Sequence, residues 1–158
     1  MKQINQLLDF VATHPDATLR YRASNMILHV DSDAAYLVAP KARSRIAGYY
    51  YLSNLDTPPP LNGAIHVECK TLKHVVASAA EAEVAGIFLN AQQILPIRRI
   101  LHALGHVQPP TPVKTDNSTA NGFIHNNIHQ KRSKSWDMRY YSLRDKTLQK
   151  QNFKQFSH

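Results

Sequence analysis

The chain reads as an α/β domain built on one mixed sheet, and three observations predict it. Three short β-type runs follow one another with no helix between them. A long alanine-rich helical pattern follows, and a further β-type run comes directly after it. Strands joined by turns pair antiparallel, whereas a strand reached through a helix joins its sheet in parallel. The expected core is therefore a three-stranded antiparallel meander extended by parallel strand pairing, with helices on both faces.

Each element has its own justification. Ile4, Leu7, Leu8, Phe10 and Val11 recur at helical spacing over residues 2–13, and His14-Pro15-Asp16 stops the pattern. A first strand is expected at 26–30, leading into Asp31 and Asp33. Lys41, Arg43 and Arg45 read as a basic turn, and 46–52, with Tyr49, Tyr50 and Tyr51, as a second strand. Pro58, Pro59 and Pro60 demand a loop, and 64–69 alternates as a third strand. Helical periodicity then runs through 77–106 along Val84, Ile87, Phe88, Ala91, Ile94 and Leu95. Pro96 is expected to break or kink it, with a second helical piece over 97–104 ending at Gly105. The prolines of 108–112 lead stiffly into a fourth strand ending at Asp116. Beyond it lie an expected helix at 118–124, a polar basic stretch at 126–135, a helix at 136–150, and at 151–158 what reads as the beginning of a fifth strand.

Composition narrows the chemistry. The 158 residues hold 19 Lys and Arg against 11 Asp and Glu, a formal charge of +8, with an isoelectric point near 9.7. A basic domain of this kind is most simply a polyanion binder, with nucleic acid the default partner. The lone Cys69 excludes an intramolecular disulfide and fits a reducing compartment. No apolar run reaches membrane-spanning length, and the N-terminus has no signal-peptide profile, so the expected location is cytoplasmic or nuclear.

Against that basic background, three acidic segments stand out: Asp31 and Asp33 after the first strand, Glu81 and Glu83 near the start of the long helix, and Asp116 after the fourth strand. Carboxylates brought together repel, and a divalent cation held against a phosphodiester is the common purpose of such a group in a basic protein. Asp31 and Asp33 share a strand face. Glu81 and Glu83 point about 200° apart on a helix, so only one of them can face the cluster.

Six stretches in this order carry a family resemblance: Asp33-Ala34-Ala35-Tyr36, the run 41–49, Ser78-Ala79-Ala80-Glu81-Ala82-Glu83, Pro96-Ile97-Arg98, Asp116-Asn117-Ser118-Thr119-Ala120, and the run 132–140. The chain resembles the ribonuclease H domain that follows the reverse transcriptase in copia-type retrotransposon polyproteins. The resemblance implies a ribonuclease H-like fold over 23–158, with 1–22 a connector from the polymerase region. It also implies a fifth strand and last helix cut short at the C-terminus.

The implied activity is hydrolysis of the RNA strand of RNA–DNA hybrids by two Mg²⁺ ions, replaceable by Mn²⁺, held by Asp33 (with Asp31 as its alternative), Glu83 and Asp116. Glu83 is also implied to contact a ribose 2′-hydroxyl. Lys41, Arg43, Arg45, Lys131, Arg132 and Lys134 are the expected phosphate contacts. The family's fourth carboxylate lies beyond the fifth strand and has no counterpart here; Asp137 and Asp145 read as a helix-start residue and a surface charge. Two further readings stay open: a retroelement remnant or binding module with the same fold and no cleavage, and an integrase-like nuclease. The early glutamate disfavours the second of these.

Overall fold

A computed structural model describes residues 2–116, 142–143, 145 and the backbone of 153–157. The elements are α1 (Lys2–Thr13), β1 (Ile27–Ala39), β2 (Arg43–Ser53), β3 (Ala64–Thr71), α2 (Ala79–Ala103), β4 (Thr111–Thr115) and β5 (Phe153–Ser157). The five strands form one sheet in the order β3-β2-β1-β4-β5. β1, β2 and β3 pair antiparallel, while β4 joins β1 and β5 joins β4 in parallel. The expected fifth strand thus forms, and its backbone pairs with β4 from Thr111 to Thr115.

α2 lies on one face of the sheet. Leu28 and Val30 of β1, Tyr50 of β2 and Val113 of β4 meet Val84, Ile87, Ala91, Ile94 and Leu101 of the helix in the main core, joined by Leu143. Ile46, Leu72, Val76, Ala82 and Ala85 form a second buried group. Burial of this apolar surface is the dominant stabilisation, at about 25 cal/mol per Å² removed from water. On the opposite face, the loop after β2 closes over the strands. The Tyr49 hydroxyl donates to the Asn62 carbonyl at 2.8 Å, and His29 Nε2 pairs with the Asn54 carbonyl at 2.7 Å.

Three expectations are corrected. β1 does not stop before the acids but carries Asp31 and Asp33 within it and continues to Ala39. Its ladder to β2 runs unbroken from Ile27 to Ala35 and resumes, after a register shift, at Ala39. Pairing with a long neighbour overrides the weak strand preference of Asp and Ala. For the same reason Arg43 and Arg45 belong to β2, and only Lys41 and Ala42, both at positive φ, remain in the turn. Nor does Pro96 divide the helix, which is continuous through it. The proline ring costs one backbone bond, but Ile94 before it and Leu101 after it are both buried, holding the two halves on the sheet.

The N-terminal segment sits apart from this core. α1 has no buried residue. The stretch after it is pinned to the loop before β3: Gly63 N–H donates to the Arg20 carbonyl at 3.0 Å, and the Tyr21 hydroxyl donates to the Ala64 carbonyl at 2.9 Å. The expected helix at 118–124 lies outside the described residues. So does most of the one at 136–150, of which Ser142, Leu143 and Asp145 are described and helical.

Candidate metal centre

β1 and β4 pair only at Val30↔Val113 and Asp31↔Lys114. Past that point the ladder between them ends, and Asp33 and Asp116 follow towards their C-terminal ends. Openings at the carboxyl ends of parallel strands are where α/β sheets hold ligands. α2 delivers the third acid. Its N-terminus is fixed by Ser78, whose hydroxyl accepts from Glu81 N–H at 3.1 Å, while Glu81 Oε2 accepts from Ala77 N–H at 2.7 Å. Glu81 is thereby used as a cap, and Glu83 turns inward.

Glu83 is 4% exposed. One carboxylate oxygen accepts from the Ala34 backbone N–H at 3.1 Å and the other from the Thr115 hydroxyl at 3.3 Å. The carboxyl is pushed up to about 7, first by burial and then by the negative charges of Asp33 and Asp116, against the lowering effect of its two hydrogen bonds. Asp33, Glu83 and Asp116 each offer an oxygen, all lying within 4.8 Å of one another. Asp31 is not in this group; it acts on His29 and Tyr51, raising both. His29 nonetheless stays below its ordinary value, because burial outweighs the Asn54 carbonyl and Asp31.

The three residues suit a hard divalent cation on two grounds. Their donors are all oxygen, as Mg²⁺ and Mn²⁺ prefer. Burial of Glu83, and after it the repulsion from Asp33 and Asp116, disfavours three bare carboxylates, and a cation offsets that cost. Of the expected phosphate contacts, Lys41 and Arg45 are exposed and Arg43 half-buried around the β1–β2 turn. Lys131, Arg132 and Lys134 lie outside the described residues. Thr115 and the Ala34 amide were not expected at the site. A hydroxyl directly before Asp116 is the only signal the sequence offers for Thr115, and a backbone donor leaves none.

The sheet order and the helix packed against it are shared with known structures. A ribonuclease H1 isolated from compost, solved in complex with an RNA/DNA hybrid, superposes with a TM-score of 0.59 at 9% identity, covering 83% of this chain and 84% of that one. The chain has the ribonuclease H fold. Ribonuclease H1 of Halobacterium salinarum gives 0.55 at 10% identity over 84% of this chain and 85% of that chain. The protease-reverse transcriptase of prototype foamy virus gives 0.51 at 12% identity, over 90% of this chain but 18% of the viral one. No family model matches the sequence, and no curated protein does. Among the described residues, no helix is long and apolar enough to cross a membrane.

Proposed function

We propose that this ribonuclease H fold performs metal-dependent endonucleolytic hydrolysis of the RNA strand of RNA–DNA hybrids, as the ribonuclease H part of a retrotransposon reverse transcriptase polyprotein. The observation that carries the reading is the convergence of Asp33, Glu83 and Asp116 from three separate elements. The order of motifs along the chain supports the retroelement context, as does the likeness to a viral protease-reverse transcriptase.

Asp33, Glu83 and Asp116 would hold the ions. Bound there, Mg²⁺ or Mn²⁺ supplies an acidified water and charge stabilisation for the departing 3′ oxygen. The chain's own part is to present three carboxylates in fixed directions. The Ala34 N–H and Thr115 hydroxyl leave Glu83 little freedom to turn, and the opening between β1 and β4 gives a phosphodiester access to Asp33 and Asp116. Glu83 must be ionised to serve as a ligand, so protons and metal compete for it, and cation affinity should rise with pH up to about 7.

The exposed apolar side chains Ile4, Leu7, Leu8, Phe10 and Val11 on α1 suit a segment that packs against a preceding domain, in keeping with a connector at 1–22. Cutting of the RNA strand of a labelled hybrid in Mg²⁺, with Asp33→Asn as the inactive reference, tests the enzyme.

Phosphate gripping by the β1–β2 turn has its own expected result. A Lys41→Ala/Arg43→Ala/Arg45→Ala variant should bind hybrid more weakly across all sequences. It should also flatten the dependence of log affinity on log salt by roughly 0.7–0.9 for each phosphate no longer neutralised. Fluorescence anisotropy at several salt concentrations measures this; an unchanged slope removes these residues from the interface.

A further inference from the structure

Asn90 lies seven residues after Glu83 on α2 and is fully buried. A helix makes two turns in about that span. Its carboxamide is fully engaged by the sheet. The nitrogen donates to Ser32 Oγ at 2.9 Å and to the Ala47 carbonyl at 3.0 Å, and the oxygen accepts from the Tyr50 hydroxyl at 2.9 Å. The Ala47 carbonyl can only accept, which fixes which end of the amide faces it.

The next residue on β2 is Gly48, and the close approach requires it: a Cβ there would lie 2.5 Å from Asn90 Oδ1 and 2.8 Å from the Tyr50 ring. Helix and sheet therefore meet through a directional polar lock on both β1 and β2. Its β1 member, Ser32, is adjacent to Asp33.

The surrounding apolar contacts do not set this register. Burial of Val84, Ile87 and Ile94 is non-directional and holds the helix near the sheet without selecting its rotation or axial position. Hydrogen bonds do select them. Glu83 needs such a selection, because its oxygen must meet those of Asp33 and Asp116, and a displacement of about 1 Å at a reacting centre can cost 10²-fold.

We propose that Asn90 is a positioning residue that sets the register of α2 on β1 and β2, and through it the place of Glu83 among the carboxylates. The inference rests on the reading of that cluster as a divalent-cation site. A core asparagine kept only to satisfy its neighbours would affect stability alone.

Mn²⁺ binding to the full chain, followed by the electron paramagnetic resonance of the free ion, separates the two. Asn90→Ala should weaken Mn²⁺ binding by roughly 10–100-fold, the range for residues that orient metal ligands. Ile94→Ala, which opens a cavity one turn further along the same interface, should lower the melting temperature at least as much yet leave Mn²⁺ affinity within about 3-fold. If Asn90→Ala does not fold, Ser32→Ala carries the test. It removes one acceptor of the lock and should weaken binding in the same direction by less.

Wild-type affinity in a folded Asn90→Ala or Ser32→Ala protein overturns the positioning role and leaves the metal site standing. Equal weakening by Asn90→Ala and Ile94→Ala also overturns it, since general loosening would then suffice. A wild-type chain that binds no Mn²⁺ sinks the metal-centre reading itself, and the positioning role with it.

Discussion

Glu83→Gln is expected to do two opposite things: abolish cation-dependent cleavage and raise stability at pH 8 in a chelator. The first follows from removal of a buried ligand at the centre of the cluster, at a loss of roughly 10²-fold or more. The second follows from linkage. Glu83 titrates at about 7 in the fold against an ordinary 4.5, so the folded state holds the proton more tightly than the unfolded chain. The stability this contributes is fully present below pH 4.5 and is lost as pH rises through 7. The group is almost wholly buried, and the shift sets an upper limit of roughly 3 kcal/mol on the effect. Glutamine keeps an acceptor for the Ala34 N–H and has no charge to bury. Between pH 5 and pH 8 in chelator, wild-type melting should therefore fall relative to that of the variant, since the effect of the depressed His29 is common to both. Added Mn²⁺ at pH 8 should restore the wild type alone. A variant that loses stability with rising pH as the wild type does would refute this role of Glu83.

Arg98→Ala should be the most damaging change away from the site. The guanidinium donates to the carbonyls of Pro109 and Gln108 and to Thr111 Oγ1. Gln108 in turn donates to the Met26 carbonyl at 2.8 Å and accepts from the Leu28 N–H at 3.0 Å. One side chain thus ties the end of α2 to the linker entering β4 and, through Gln108, to the start of β1. Alanine leaves two carbonyls and a fully buried threonine hydroxyl without this donor, at a cost of roughly 2–4 kcal/mol. That corresponds to a fall of about 10 °C in melting temperature for a domain this size. Arg98→Lys should not restore it, because a single ammonium cannot span the acceptors of a planar fork. Hydrogen exchange adds the local signature: amides of β4 should lose protection ahead of those of β2. A loss under about 1 kcal/mol, or full rescue by lysine, would show that β4 is held in some other way.

Where the sequence could be read, periodicity and residue chemistry carried the elements, and the family resemblance carried the choice of acids. The α2 stripe through Val84, Ile87 and Ala91 announced the face that meets the sheet. The Asp33-Ala34-Ala35 and Ser78 to Glu83 stretches pointed to the acids that converge. Helical geometry allows only one of Glu81 and Glu83 to face the cluster, although the capping use of Glu81 appears only in three dimensions. What stayed hidden depends on contacts distant in sequence. The extension of β1 past its acids is imposed by β2, and the continuity of α2 through Pro96 by burial on both sides of it. Nothing in the sequence singled out Asn90, whose burial and partners appear only in three dimensions. Ser32 lies 58 positions away from it. Arg98 stood in a matched stretch, yet nothing local shows that it anchors the linker to β4.

The central claim is tested most directly by incubating the chain with a labelled RNA–DNA hybrid in Mg²⁺ and in Mn²⁺, beside Asp116→Asn. The predicted result is cleavage confined to the RNA strand, dependent on the metal and lost in the variant, which remains folded. A folded wild-type chain that binds the hybrid and leaves it intact would contradict the claim, as would cleavage that persists in Asp116→Asn.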